Sequence, residues 1–560
     1  TTWIRVRDLT DRDAPLVTLA EPIEGAALSA WTEVRGTIED ANLDYYMVEL
    51  APYGTERFVT LAQGTGLPGS TRLAVIDPDR LPNGAYIIRV TAVDMAGRES
   101  AVTRRIDIDT ALKPKSFSAA TTDLSILLDG VPVNVVRRYD GLLADEVGTF
   151  GRGWFLAGAD PQITTDAAIT GAEADGRFSP MQTGSHLYVT LPDGARVAYT
   201  FAPSVEEIGG LTFYRPAWQA PPGVSYLLQT AAAVLIKVGD AFYQAGTGLP
   251  YHPADARFTG PAYAATAPDG TRYEYDASQR LTRTVSPAGT LVWSDSGIMG
   301  PAGSQVSFQW DRTVDSTGAF RRRLAAIIGP DGRRLVYTAD RMGNLVSFTD
   351  LGVGVRVRYA YDAAAGNRLT ATLSTVSQDS ALPQYGADGT FTGSLSVHGF
   401  LGALRTAAAG SITGALEPGE TVRYGFVLTE SELSRAFSGG ITLSIEVRSE
   451  GPLTLAAPRL IGQTAGTSMT DGAVGYALYH VTAAGLYVIE VESSAPGPSG
   501  GFTLTMSIAG DLDDNGAVDA QDDALFKTAQ GSQTGEPNYS LRADANRDGV
   551  INTADHTYLS

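Results

Sequence analysis

Apolar residues recur at every second position through most of the chain. Tyr46, Val48 and Leu50 alternate with polar neighbours, and so do Tyr86, Ile88, Val90 and Ala92 after the turn Pro82-Asn83-Gly84. The same period appears in Val422, Tyr424, Phe426 and Leu428, in Tyr487, Ile489 and Val491, and in Phe502, Leu504, Met506 and Ile508. A period of two puts one set of side chains on one face of a pleated strand, so each run predicts a half-buried strand. Asp-Gly, Asn-Gly and Pro-Asp-Gly turns separate the runs. A helical reading is confined to Ala520–Ala529, with Leu525 and Phe526 on the inner face. The pattern predicts a mainly β, multidomain protein with a small α module at its C-terminal end.

Five zones follow. Residues 1–110 read as a sandwich of short strands, and Gly84-Ala85-Tyr86 through Asp94-Met95-Ala96-Gly97 resembles the last hairpin of bacterial immunoglobulin-like or fibronectin type III-like domains. Residues 111–375 carry a repeat. Tyr337 and Tyr361 are 24 residues apart, as are Leu345 and Leu369, with a weaker copy in Tyr273-Glu274-Tyr275-Asp276 and Leu281. Pro192-Asp193-Gly194, Pro268-Asp269-Gly270 and Pro330-Asp331-Gly332 would turn such hairpins, and Tyr and Leu would cover the next one. Tyr-x-Tyr-Asp with Gly and Leu resembles the YD repeat of Rhs proteins, and Val131-Pro132-Val133 to Arg138-Tyr139-Asp140 with Phe150-Gly151-Arg152-Gly153-Trp154 is similar to the opening of such regions. That resemblance implies a β-shell architecture and a secreted or cell-surface setting. The repeats are too few to close a shell, and no toxin domain follows them. Residues 376–394, polar and Gly-rich, read as a linker. Residues 395–508 read as a second β-sandwich or jelly roll. Gly419-Glu420-Thr421, Tyr424-x-Phe426 and Ala484-Gly485-Leu486-Tyr487 there resemble the pre-peptidase C-terminal type of accessory domain.

Residues 509–560 hold the sharpest chemistry. Asp511-Leu512-Asp513-Asp514-Asn515-Gly516-Ala517-Val518-Asp519 through Asp522 matches an EF-hand-type loop, and Asp544-Ala545-Asn546-Arg547-Asp548-Gly549-Val550-Ile551-Asn552 through Asp555 repeats it 33 residues later. Calcium is a hard cation that takes six to eight oxygens. The first loop would offer Asp511, Asp513 and Asn515, the Ala517 carbonyl, Asp519 and Asp522. The second would offer Asp544, Asn546 and Asp548, the Val550 carbonyl, Asn552 and Asp555. Gly516 and Gly549 stand where the loop must turn sharply. Val518 and Ile551 occupy the same loop position and are expected to pair in a short β-bridge. One helix per loop and Asp at the closing position resemble a type I dockerin, an EF-hand-like module. That resemblance implies two Ca2+ sites and a cohesin-like protein partner. Ala520-Gln521 and Thr553-Ala554 depart from the Ser/Thr-plus-basic recognition pairs of that family.

Charge and composition narrow the function classes. The chain of 560 residues has 42 basic and 62 acidic side chains, a net charge of −20. Such a polyanion repels nucleic acid and anionic lipid. Residues 510–560 carry ten acidic residues against three basic ones, so the loops should be loose without a cation. Cysteine is absent, which excludes disulfides, thiolate metal sites and Cys nucleophiles. No apolar run is long enough to span a membrane. His186, His252, His398, His480 and His556 lack metal-ligand spacing. No nucleophile elbow, P-loop or H-E-x-x-H motif occurs, so no catalytic residue is assigned. Arg321, Arg322, Arg323, Arg333 and Arg334 read as a salt-bridged face, and Trp154, Trp218, Trp293 and Trp310 as core more than as a sugar platform. The start Thr-Thr-Trp reads as a segment of something longer, with any signal peptide outside it.

The expectation is a non-catalytic modular protein, secreted or on the cell surface, that docks, scaffolds or adheres through a calcium-ordered module. Its partners would be a cohesin-like domain or a cell-surface component, with carbohydrate a further candidate. Two alternatives stand beside it: a component of an extracellular polysaccharide-degrading system, and the front part of an Rhs polymorphic toxin.

Overall fold

The computed structural model describes residues 8–558 apart from 66–70, 259, 315–317, 319, 363–366, 377–379, 409–410, 435–439 and 495–496. The protein is mainly β, and the chain divides into two compact units, residues 1–345 with 386–391 and residues 346–385 with 392–560.

The first unit begins with two facing sheets. Leu16–Glu21, Thr32–Glu39 and Arg72–Ile76 form one, and Ala26–Leu28, Glu99–Ile108, Gly84–Asp94, Leu43–Pro52 and Val59–Thr65 form the other. The alternation read from sequence supplies the core: Val48, Leu50, Ile88 and Val90 from the larger sheet meet Val17, Leu19, Val34 and Ile38 from the smaller.

The hairpin Ser118–Leu128 and Val131–Asp140 follows. It buries an ion pair in which Arg137 Nε and Nη2 donate to the two Asp123 oxygens at 2.8 and 2.9 Å. Tyr337 OH donates to the same carboxylate at 2.9 Å, and the Arg137 guanidinium lies 4.9 Å from the Trp154 ring centre. The Phe150-to-Trp154 motif has a steric logic. Gly151 has φ +131°, and a Cβ there would stand 2.6 Å from the Gly343 carbonyl oxygen. Arg152 N–H donates to that same oxygen at 2.9 Å. The glycine therefore lets this segment lie against the hairpin turn at Gly343.

The Pro-Asp-Gly triplets are hairpin turns. Gly194, Gly270 and Gly332 have φ of +94°, +85° and +82°. In each, the Asp side chain accepts from the N–H two residues on: Ala195 at 3.0 Å, Thr271 at 2.8 Å and Arg333 at 3.0 Å. The Asp residues that follow the repeat tyrosines mark the opposite turns. Asp276 Oδ1 accepts from Ser278 and Arg280 N–H at 2.9 Å, and Asp340 Oδ1 from Met342 and Asn344 N–H at 2.8 and 2.9 Å. Tyr275, Leu281, Tyr337 and Leu345 are buried. The repeat thus writes a meander in which each strand from Tyr263–Thr266 to Arg334–Ala339 pairs with its sequence neighbour. The arginine group sits among partners: Arg322 pairs with Asp295 at 2.7 Å and Arg323 with Asp311 at 2.6 Å.

The second unit begins within strand Leu345–Asp350, which with Arg356–Asp362 and Arg368–Ser374 forms a short antiparallel run. The expected linker 376–394 is not unstructured throughout. It contains strand Ala381–Tyr385 and the start of Phe391–Ser396. Leu382 joins Leu373 and Val397 in an apolar cluster, which the polar, Gly-rich composition concealed. Beyond it, Gly399–Ala403, Thr421–Leu428, Gly485–Glu492 and Arg459–Leu460 make one sheet. Ser411–Leu416, Gly500–Ile508, Ile441–Ser449, Val474–Val481 and Thr467–Thr470 make another. Every apolar residue of the three alternating runs predicted here is buried.

Two predictions follow from these cores. Arg137→Met leaves Asp123 buried without its counter-charge and should cost about 3–5 kcal/mol in chemical denaturation. The double change Arg137→Met with Asp123→Leu should recover part of that loss. His252 is 7% exposed and stacks on Phe178 at 4.7 Å, and burial pushes its pKa down to about 4 against the pull of Asp255. The unfolded chain then binds the proton more readily, so the His252 contribution is full above about pH 6.5 and is lost as the pH falls toward 4. Thermal melts at pH 7 and pH 5 should show a smaller drop in Tm for His252→Phe than for the wild type.

Candidate metal centre

Strand Gly500–Ile508 runs directly into the first loop with no preceding helix. The turn passes through Gly510 at φ +91°, where a Cβ would meet the Tyr558 carbonyl oxygen at 2.5 Å. In the loop, Asp514 and Gly516 take left-handed φ of +63° and +82°. In the second loop, Arg547 and Gly549 take +61° and +87°. The reversals fall at the same two positions, and they aim backbone N–H groups inward.

The hydrogen-bond nets are also duplicated. Gly516 N–H donates to Asp511 Oδ2, and Gly549 N–H to Asp544 Oδ2, both at 2.9 Å. Asn515 N–H donates to Asp511 Oδ1 at 3.0 Å, and Asp548 N–H to Asp544 Oδ1 at 3.1 Å. The closing carboxylates Asp522 and Asp555 serve two structures at once. Each accepts from the first half of its loop, from Asp513 N–H at 3.3 Å and Asn546 N–H at 3.0 Å. Each also completes a helix capping box with the residue three before it, Asp519 or Asn552. Helix start and loop closure are therefore one feature.

Electrostatics favour an added cation. Asp511, Asp522, Asp544 and Asp555 are all buried. Burial pushes the Asp511 carboxyl above the usual carboxylate range, with Asp522 adding to the push. Burial does the same to Asp555, helped by Asp544 and Asp548. Oxygens of Asp511, Asp513 and Asp522 lie within 4.8 Å of one another. Two oxygens bound to one calcium at about 2.4 Å can be at most about 5 Å apart, so this spacing fits a single ion. The donors are all oxygen, as a hard cation requires.

The second loop is partnered differently. Tyr539 OH donates to Asp544 Oδ2 at 2.6 Å, Asn546 Nδ2 to Asp548 Oδ2 at 3.0 Å, and Asn552 Nδ2 to the Val550 carbonyl at 3.1 Å. The structure thus places Asp511, Asp513, Asn515, Asp519 and Asp522 around one turn and Asp544, Asn546, Asp548, Asn552 and Asp555 around another, with the Ala517 and Val550 carbonyls in the two loops. Two other groups, Asp107 with Asp166 and His186, and Asp11 with Asp40 and Asp94, also bring oxygen donors together. In those, Tyr188 OH donates to Asp107, His186 Nδ1 bonds Asp166, and Arg98 pairs with Asp94 and Asp11.

Two expectations about the module fail. Val518 and Ile551 do not pair among the described residues. Val518 packs on the sandwich core, while Ile551 is buried with Phe526, Ala529 and Ala543. Its backbone bonds instead to Gly531 and Ser532. Leu525 does not face inward; it is 42% exposed, and Phe526 alone of the pair is buried. Sequence reasoning also missed the braces Tyr539 and Arg542. Arg542 reaches Asp514 at 2.9 Å and holds its carboxyl below the usual range. Neither residue belongs to the loop pattern, and only folding brings them to it. Ala520, Gln521, Thr553 and Ala554 are exposed.

Residues 509–560 match the dockerin type I domain family. Domains of that family bind calcium. No curated protein matches the chain. Among solved structures, murine CRIg is similar over 17% of this chain and 97% of that one, at 10% identity and a TM-score of 0.13. The Bacteroides ovatus mixed-linkage glucan utilization locus protein SGBP-B, solved with a mixed-linkage heptasaccharide, covers 88% of this chain and 100% of its own, at 12% identity and a TM-score of 0.14. A tetra-tandem repeat from the extending region of a large adhesion protein covers 89% and 99%, at 12% identity and a TM-score of 0.15. At such TM-scores these likenesses carry no argument. None of these matches supports the Rhs resemblance. No helix among the described residues is long and apolar enough to cross a membrane.

The first loop offers four carboxylates and the second three, so calcium titration of the intact chain should give a tighter and a weaker event. Asp511→Ala should remove the tighter one and Asp544→Ala the weaker, each by calorimetry.

Proposed function

We propose that this chain is a docking or scaffolding component of a secreted or cell-surface assembly, joined to its partner by a calcium-ordered C-terminal module. The duplicated loop geometry carries the reading: two oxygen-lined turns, 33 residues apart, with the same left-handed positions and the same inward amides. The dockerin match to residues 509–560 supports it, and because dockerin domains bind cohesins the partner on this reading is a cohesin-like domain. Two Ca2+ ions would be held by Asp511, Asp513, Asn515, Ala517, Asp519 and Asp522, and by Asp544, Asn546, Asp548, Val550, Asn552 and Asp555. Bound calcium would neutralise the buried carboxylates and fix the angle of helix Ala520–Ala529. The neutral Ala520-Gln521 and Thr553-Ala554 pairs would select a cohesin surface without the acidic patch that a basic pair would need. On this reading the β-regions ahead of the module, with the Tyr/Leu hairpin array as a YD-repeat-like part, act in display or adhesion rather than in catalysis.

Capture of the intact chain on a panel of immobilised type I cohesins tests it. Binding should occur in calcium, vanish with chelator, and be lost in the Asp511→Ala, Asp544→Ala double variant. Retention that ignores both the chelator and the double variant would overturn the reading.

A further inference from the structure

The two loops are braced at the same position by different means. Residue four of each is left-handed and not glycine, a conformation that side-chain residues hold only when their surroundings enforce it. In the first loop this is Asp514, held by Arg542 from inside the module at 2.9 Å. In the second it is Arg547, which donates to the Leu541 carbonyl within the module and is held from outside it as well. The Arg547 guanidinium lies 5.0 Å from the ring centre of Tyr476 and pairs with Glu446 at 3.5 Å. Glu446 and Tyr476 face each other across neighbouring strands of the preceding β-sandwich.

A second contact fixes the loop's backbone. Tyr476 OH donates to the carbonyl of Ala545, which stands between the ligand positions Asp544 and Asn546. Ser444 Oγ donates in turn to Tyr476 OH at 3.2 Å. Around this pair, Tyr476, Leu478 and Ala509 form a small buried cluster with Tyr558 against it. The sandwich thus touches loop residues two and four, on either side of Asn546, and leaves Thr553 and Ala554 exposed.

We infer that the β-sandwich is part of the second ion site: Tyr476 and Glu446 are positioning residues that hold the 544–555 loop in its ion-accepting form. Ion uptake there and seating of the module on the sandwich are then one coupled event, and coupling is reciprocal. The ion steadies the contact as much as the contact steadies the ion. This rests on the calcium reading above and goes beyond it, because it makes Tyr476 and Glu446 of a neighbouring domain determinants of affinity at the second loop.

The test is calcium calorimetry on the intact chain and on its Tyr476→Phe and Glu446→Gln variants. The event that Asp544→Ala abolishes should weaken about three- to tenfold, which is about 0.7–1.4 kcal/mol. The event that Asp511→Ala abolishes should keep its affinity. An unchanged second event, or equal weakening of both, would overturn the inference and leave the calcium reading standing. No calcium uptake by the wild-type chain would remove the calcium reading itself. Amide hydrogen exchange on the wild type gives a check that needs no variant: calcium should slow exchange in Val474–Val481, and identical rates with and without calcium would overturn the coupling.

Discussion

The C-terminal module is organised around crowded, buried negative charge. Asp511, Asp522, Asp544 and Asp555 are out of water, and the groups that meet them are mostly backbone N–H dipoles. Dipoles soften such charge but cannot cancel it, and burial of an ionised carboxylate is costly without a counter-charge. The rest of the module answers this constraint. Glycines at 516 and 549 and left-handed residues at 514 and 547 turn the amides inward. Helix caps at Asp519 and Asn552 reuse the closing carboxylates. A divalent ion in a loop would bring the counter-charge that its buried carboxylates lack.

Much of this was legible in the sequence because it is local. Alternation at Val422, Tyr424, Phe426 and Leu428 fixes which side of a strand is buried, and the structure buries all four. The turns of the two Asp-rich loops, the Pro-Asp-Gly turns and the Tyr/Leu hairpin units are likewise set within a dozen residues. What escaped is set by tertiary contact. Val518 and Ile551 share a loop position but face different cores, because only the first loop has the sandwich beside that position. The segment 376–394 has a linker's composition, yet Leu382 finds an apolar neighbour in Leu373. The braces on the loops, Tyr539, Arg542, Tyr476 and Glu446, have no signature a pattern could carry.

The first unit shows the same division between local and distant causes. Glycine at 151 looks like motif residue and nothing more until the Gly343 carbonyl is seen 2.6 Å from where its Cβ would be. The Arg137–Asp123 pair is likewise invisible in a strand whose alternation would place an apolar residue there. Buried pairs of this kind seldom add net stability, but they are intolerant of losing one member. Tyr337 on the same carboxylate ties the hairpin to a strand more than two hundred residues later.

The meander also bears on how such a chain can change length. Among the described residues from Tyr263 to Ala339 no strand crosses over another, and each finds its partner in the neighbour that precedes or follows it. The six strands between the Asp-Gly bends at 269–270 and 331–332, which face solvent, form one run that could be duplicated or shortened pair by pair without changing which strands are neighbours. Each such edit would widen or narrow this stretch by about 10 Å, the width of two paired strands. Its end stays pinned by Tyr337 on Asp123 and by Gly343 against Gly151, so any change of length must fall before those contacts.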